Sequence, residues 1–224
     1  MNTQFLIAAA GLGERLGREE PKALVPLLGR PMLLHTLDRF REAGLDHGVV
    51  LVPPGREETF SAALAGRDVR LTNGGATRQE SVRNGLNALE DGTEVVAIHD
   101  AARPFVSVAA IRASIAAAAE HGAATVAIPS VDTILEGDEA AFLRATPDRR
   151  RLWACQTPQT FRVEVIREAH HRATREGFQG TDDASLVRRM GGRVKLVMGS
   201  RHNMKITLPE DLRIAELMMR EGLT

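Results

Sequence analysis

Short runs of apolar side chains alternate along the 224 residues with stretches in which apolar positions recur at helical spacing. The runs QFLIAAA (4–10), HGVVLV (47–52), VRLT (69–72), EVVAIHD (94–100), AATVAIP (123–129) and RVKLVMG (193–199) predict strands. Most are continuous enough to be buried on both faces of a parallel sheet. Between them Leu33, Leu37 and Phe40, then Val82, Leu86 and Leu89, then Ile111, Ile115 and Ala118 fall at i, i+4, i+7, so each set forms one apolar helical stripe. Strand and helix in alternation predict an α/β fold: a Rossmann-like, mostly parallel open sheet with right-handed crossovers and helices on both faces. Thr77-x-x-Glu80 and Thr207-x-x-Glu210, the second with Pro209 in the first turn, have capping-box spacing and mark two helix starts; the last helix runs on through Leu212, Ala215 and Met219.

One segment breaks the rhythm. From Ser130 to Phe161 there is no helical stripe, Val131 to Leu135 is strand-like, Gly137-Asp138 is a turn signal, and TPDRRRLW is charged where a core element would be apolar. This predicts a β-hairpin arm, residues 130–153, standing off a single domain that spans 1–224. A hairpin has too little core of its own and needs something to pack on, most simply a second copy of the chain; a long solvated loop is the alternative.

Composition narrows the function classes. Apolar residues at 43% and charged residues at 26% are ordinary for a globular protein, and 29 basic against 29 acidic residues cancel. The balance gives no sign of a nucleic-acid or membrane-surface partner, so a charged ligand must be met locally. FLIAAAGLG, with no preceding Lys or Arg, reads as a buried strand rather than a signal peptide or membrane span. Cys155 stands alone, which excludes an internal disulfide, fits a reducing cytoplasm and reads most simply as a small buried hydrophobe. Lysine is scarce, at Lys22, Lys195 and Lys205 only. A retained lysine hints that a compact, flexible ammonium is wanted there, although Lys195 falls inside a strand pattern and needs no such reason.

The glycine-rich loop AAAGLGERLGREEPKALVP (8–26) admits three readings. A dinucleotide fingerprint requires a helix at once and an acidic residue closing the second strand; here Pro21 interrupts any helix and the second strand ends in Val52-Pro53. A Walker loop requires Gly-Lys-Ser/Thr, but Glu14 follows Gly13. There remains a loop with free backbone N–H groups from Ala10 to Gly13, followed by Arg15 and Lys22, two cations able to straddle a nucleoside triphosphate. A sterically required turn with solvated cations is the plainer alternative. Asp100, ending an apolar strand in HDAARP (99–104), is placed to hold Mg²⁺ or, equally, to cap a helix. GGATRQESV (74–82) offers Gly75 and Ser81 for close approach to a base or ribose, and SRHNMKITLPEDL (200–212) sets Lys205 at another strand end.

Taken in order, A-A-G-x-G-x-R with P-K seven residues beyond the arginine, G-G-x-x-R-x-x-S-V, H-D-A-A-R-P, D-T, a D-R before L-W, T-P-Q-x-F, T-D-D-A-S and N-x-K-I-T resemble one family: the 2-C-methyl-D-erythritol 4-phosphate cytidylyltransferases, CTP-using nucleotidyltransferases of non-mevalonate isoprenoid synthesis. The resemblance covers Ile7 to Leu212. It implies that Ala9, Ala10, Gly11 and Gly13 line the CTP site, with Gly75, Arg78 and Ser81 near cytosine and ribose and Ala101 beside them. It implies that Arg15 and Lys22 neutralise the departing pyrophosphate and that Asp100 holds Mg²⁺. It implies further that Thr133, Arg149 and Thr157 bind the polyol phosphate, that Lys205 positions its phosphate, and that Arg103 supports the site. In such proteins the arm is exchanged within a homodimer, which would carry Thr133 and Arg149 into the partner's site. The chain departs from the family pattern at Ala23-Leu24, where many relatives carry a glutamine and an aromatic, and at His202, where relatives often have an acidic residue.

A phosphate monoester is a competent nucleophile at neutral pH, so an in-line attack on the α-phosphorus requires no general base, and His99 beside Asp100 reads as structural. Ribitol 5-phosphate cytidylyltransferase shares the loop and nucleotide and differs in acceptor; a non-catalytic nucleotide-binding module is the rival from another class.

Overall fold

Every one of the six apolar runs forms a strand. In the computed structural model, which describes residues 1–13, 16–17 and 20–223, the chain begins β1 (Thr3–Ala8), β2 (Pro26–Leu27), β3 (Arg30–Pro31), α1 (Met32–Glu42), β4 (Gly48–Val52), α2 (Glu57–Ala63) and β5 (Val69–Asn73). It continues with α3 (Arg78–Asn87), β6 (Val95–Asp100), α4 (Val108–His121), β7 (Ala123–Pro129), β8 (Glu136–Gly137) and β9 (Leu143–Ala145). It ends with β10 (Trp153–Arg162), α5 (Val163–Arg175), α6 (Asp183–Arg189), β11 (Lys195–Met198) and α7 (Pro209–Arg220).

Seven strands form one sheet in the order β5-β4-β1-β6-β10-β7-β11, all running in one direction except β10. Helices cover both faces, as the alternation predicts. Side chains of β1 point alternately into two cores: Phe5 and Ile7 pack with Leu33, Leu37, Phe40, Phe60 and Ile111 on one side, while Leu6 packs with Val82, Leu86, Ile166 and Val187 on the other. The chain passes from β1 to β4 and β5 on one side, then crosses to β6 on the other, so the order reverses between β1 and β6, the place where open α/β sheets open a ligand crevice.

The capping box at Thr77 forms as expected: its side chain accepts the Glu80 N–H, and the Glu80 carboxylate accepts the Thr77 N–H at 3.2 Å. The one at Thr207 is displaced. Helix α7 starts at Pro209, and Asp211, not Glu210, accepts the N–H groups of Thr207 and Leu208 at 2.7 and 2.8 Å.

The segment 130–161 divides in two. Strands β8 and β9 pair as a short hairpin whose Val131, Ile134, Leu135, Phe142 and Leu143 are exposed, which is the expected arm. Strand β10 begins at Trp153, where the expected arm ends, and enters the middle of the sheet between β6 and β7, with Phe161 buried. Its polar residues are buried because each has a partner: Thr160 with Ser114 at 2.8 Å, Gln156 donating to the Ser200 carbonyl at 2.8 Å, and Gln159 accepting from Asp183 and Ala184.

Candidate active site

At the carboxyl ends of β1 and β6, where Ala8 is registered with Asp100, lies a cleft of about 660 Å³. Its walls come from the loop after β1, the turn before α3, the end of β6 and the approach to α7. Of the residues singled out from the sequence, Ala9, Ala10, Gly11, Gly13, Lys22, Gly75, Arg78, Ser81, Asp100, Ala101 and Lys205 all line it.

The first wall is backbone. Among the described residues none accepts a hydrogen bond from the amides of Ala10, Gly11, Leu12 or Gly13, so these donors are available to an anion. Gly13 has φ +79°, and a Cβ there would lie 2.8 Å from the Lys22 Cβ. The glycine therefore lets the lysine close over the loop, an arrangement tied by Lys22 N–H donating to the Gly11 carbonyl at 3.3 Å. Arg15, paired with Lys22 in the sequence reading, lies outside the described residues.

The opposite wall is the turn before α3. The Ser81 hydroxyl accepts from the Gly75 N–H at 2.9 Å and donates to the Thr77 carbonyl at 2.8 Å, holding Gly75 at the cleft. A Cβ on the preceding Gly74 would lie 2.6 Å from the Ala10 Cβ, so the two walls meet at a point that only glycine permits.

Asp100 is the one carboxylate among the described residues that line the cleft. Lys205 Nζ lies 2.8 Å from it, Arg78 Nε 3.7 Å and Arg103 Nε 3.8 Å. Burial alone would raise its pKa; the three cations outweigh burial and hold the carboxyl well below the usual carboxylate range. The carboxylate stays ionised at any physiological pH.

Behind it, the Asp100 N–H donates to Thr157 Oγ1 at 3.2 Å, and Thr157 Oγ1 lies 2.9 Å from His99 Nδ1. His99 Nε2 reaches the Arg103 carbonyl at 3.1 Å. A carbonyl only accepts, so Nε2 carries the proton and Nδ1 accepts from the threonine hydroxyl. Complete burial pushes the imidazole down to about 4, and Phe40 packs on its ring at 5.2 Å. His99 is thus a neutral strut under Asp100, as the sequence reading has it.

Four of the singled-out residues are not on the cleft wall. Thr157 sits beneath Asp100, in the bonds just described. Arg103 donates to the carbonyls of Asn203 at 2.7 Å and Cys155 at 3.4 Å. Thr133 and Arg149 lie in the exposed arm, where Arg149 donates to the Val131 carbonyl at 3.2 Å. Sequence reasoning missed Pro53 and Pro54, which line the cleft beyond β4, although a Pro-Pro pair at the carboxyl end of an apolar run was a usable signal. No helix among the described residues is long and apolar enough to cross a membrane.

Comparison with known proteins identifies the family of the chain. The family model described as 2-C-methyl-D-erythritol 4-phosphate cytidylyltransferase matches residues 3–221. A protein of that name from Caldanaerobacter subterraneus subsp. tengcongensis is 41% identical over 99% of this chain and 100% of its own. One from Syntrophotalea carbinolica is 43% identical over 98% of this chain and 97% of its own. The crystal structure of the Thermus thermophilus protein of that name superposes with TM-score 0.84 at 38% identity, covering 98% of this chain and 100% of that one. The Anaerococcus prevotii 4-diphosphocytidyl-2C-methyl-D-erythritol synthase superposes with TM-score 0.87 at 29% identity, covering 98% of each chain.

Proposed function

The chain belongs to the 2-C-methyl-D-erythritol 4-phosphate cytidylyltransferase family, and from that membership we infer that its cleft joins CTP to 2-C-methyl-D-erythritol 4-phosphate, giving 4-diphosphocytidyl-2-C-methyl-D-erythritol and pyrophosphate. The observation that carries the assignment of chemistry to this cleft is the meeting of unbonded loop amides, Lys22 and the Lys205–Asp100 pair at one sheet switch point.

In the reaction an oxygen of the acceptor's phosphate attacks the α-phosphorus, the bond from that phosphorus to the oxygen bridging toward the β-phosphorus breaks, and the electron pair leaves with pyrophosphate. The nucleophile is already an anion, so the chemistry requires no general base. What the site must supply is a way to bring two polyanions together. The loop amides and Lys22 face the triphosphate, with Arg15 assigned to the same task from the sequence. Lys205, half-exposed and beside Asp100, orients the acceptor phosphate. Arg78 and Ser81 serve the nucleoside side, and Arg103 with Thr157 holds Asp100 in place.

The donor set fits a magnesium ion that arrives with its nucleotide. No group of three or more His, Cys, Asp or Glu exists among the described residues to cage a resident ion, whereas a single strand-end carboxylate plus phosphate oxygens suits Mg²⁺. Held by Asp100, the ion would neutralise charge on the triphosphate.

The exposed apolar arm supports a homodimer in which each arm reaches the other subunit's cleft, bringing Thr133 and Arg149 to the acceptor. The lone Cys155 fits a cytoplasmic enzyme. The test is pyrophosphate release from CTP and Mg²⁺ with methylerythritol phosphate and ribitol phosphate in separate reactions; release with the first alone is expected, and release only with the second would overturn the acceptor.

A further inference from the structure

Two motifs, T-P-Q-T-F and T-D-D-A-S, contribute no side chain to the cleft wall, yet they meet under one that does. Arg78 opens α3 and lines the cleft, with its side chain 31% exposed. Its Nη1 donates to Asp183 Oδ2 at 2.7 Å, and its Nε faces Asp100 at 3.7 Å. The two hydrogens on Nη2 have no acceptor among the described residues. A guanidinium is rigid and planar, so fixing Nη1 and Nε also fixes the direction of Nη2.

Asp183 is 1% exposed and sits in the first turn of α6. Its other oxygen lies 3.2 Å from His170 Nε2 on α5, and His170 is 2% exposed. His170 Nδ1 is buried with no partner. The Asp183 carboxylate only accepts, so Nε2 carries a proton and donates it to Oδ1. Asp183 cannot shift, because its N–H and that of Ala184 both donate to Gln159 Oε1, at 2.9 and 3.1 Å, on the fully buried centre of β10. Gln159 is held in turn by donating to Asp182 Oδ2 at 2.7 Å. The sheet thus fixes α6, α6 fixes Asp183, and Asp183 fixes Arg78.

A buried carboxylate needs a cation, and Arg78 could satisfy it from many side-chain conformations were the carboxylate mobile. Here it is immobile, and Arg78 is also close to Asp100. Without Asp183 the guanidinium would close on Asp100, the nearest remaining carboxylate, and turn Nη2 away from the nucleotide wall. We propose that Asp183 and His170 are positioning residues that aim the free Arg78 Nη2 donors at an acceptor group of the bound nucleoside triphosphate. This rests on the CTP reading above.

The experiment compares Asp183→Asn, Asp183→Glu and His170→Asn with wild type, each checked for cooperative thermal unfolding. It measures KM for both substrates, kcat, and the calorimetric Kd for CTP without acceptor. Asp183→Asn is expected to raise Kd and KM for CTP about 10- to 100-fold, the range set by one charge-assisted hydrogen bond, leaving the acceptor KM and kcat within about threefold. Asp183→Glu is expected to recover most of the loss, and His170→Asn to show the same split more weakly. Equal changes for both substrates, a change in kcat alone, or unaltered CTP binding would overturn the proposal. Loss of cooperative unfolding in both Asp183→Asn and His170→Asn would assign the pair to the core and overturn it too. If wild type itself binds CTP but transfers nothing to methylerythritol phosphate, it is the assigned reaction that fails, and the binding measurement still decides the role of Asp183.

Discussion

Replacing Lys205 by alanine separates catalysis from stability, because the two effects differ in size. Its Nζ is 2.8 Å from Asp100, but the side chain is 42% exposed, so water screens the pair and its net contribution is about 1 kcal/mol at most. Asp100 also keeps Arg78 at 3.7 Å and Arg103 at 3.8 Å, so no buried carboxylate is left without a counter-charge. A loss of about 1 kcal/mol lowers Tm by roughly 2–4 °C in a chain of this size and leaves the folded fraction essentially complete at 25 °C. Catalysis loses much more. A cation that holds the acceptor phosphate in line for attack is worth about 100-fold in kcat when the alignment it gives is lost, roughly 3 kcal/mol and so well above the stability cost. Pyrophosphate release at saturating CTP and acceptor, beside a thermal melt followed by circular dichroism, reads both quantities. A kcat within about threefold of wild type would refute the catalytic role, as would a Tm lowered by more than about 10 °C with activity simply following the folded fraction.

Further perturbations address other links. Gly13→Ala, with φ +79° and its new Cβ 2.8 Å from the Lys22 Cβ, is expected to destabilise by about 1–2 kcal/mol and to lower kcat by displacing Lys22; melting and turnover check both. His99 has its folded pKa depressed to about 4 from 6.5, so between these values the unfolded chain binds more protons, and the stability this residue contributes is complete above pH 6.5 and lost as pH falls toward 4. Denaturant titrations of wild type and His99→Gln at pH 7 and pH 4.5 should show the smaller acid loss in the variant; a parallel loss in both would remove His99 as the cause. If arms are exchanged, inactive Arg149→Ala and Lys205→Ala chains, mixed and reassociated, place one intact site in each mixed dimer, and a random mixture regains about a quarter of wild-type turnover. No recovery despite mixed dimers in native mass spectra would place Arg149 in its own subunit's site.

The parallel strands and their helices were legible because a buried strand is a continuous apolar run and a covering helix an apolar stripe; β1, β4, β6 and β7 show the first, α1, α3 and α4 the second. Most of the cleft was legible for a related reason: Gly13 and Gly75 stand in loops and Asp100 at a strand end, where residue type is set by backbone geometry and charge, whereas Lys205 lies not at the strand end its pattern suggested but in irregular chain between β11 and α7. Strand β10 escaped because CQTPQT reads as polar surface, while its burial depends on partners from α4, α6 and the turn after β11, far away in the chain. Asp183 and His170 escaped for the same reason: 105 residues separate Asp183 from the arginine it holds, and no local spacing encodes that pairing.

The position of β10 also bears on how the sheet is assembled. Strands β6 and β7 are made first and lie on either side of a gap that only residues 153–162 can fill. Until ribosomal synthesis has passed those residues, the two apolar strands present unpaired inner edges, the kind of surface that invites aggregation and chaperone binding. A chain truncated before residue 162 would therefore retain the glycine loop and Asp100 yet lack the strand that joins the two halves of its sheet. Such a fragment is expected to misassemble rather than fold as a smaller nucleotide-binding unit. The late strand makes closure of the sheet a step that links distant parts of the chain, and it favours slow folding set by long-range contacts.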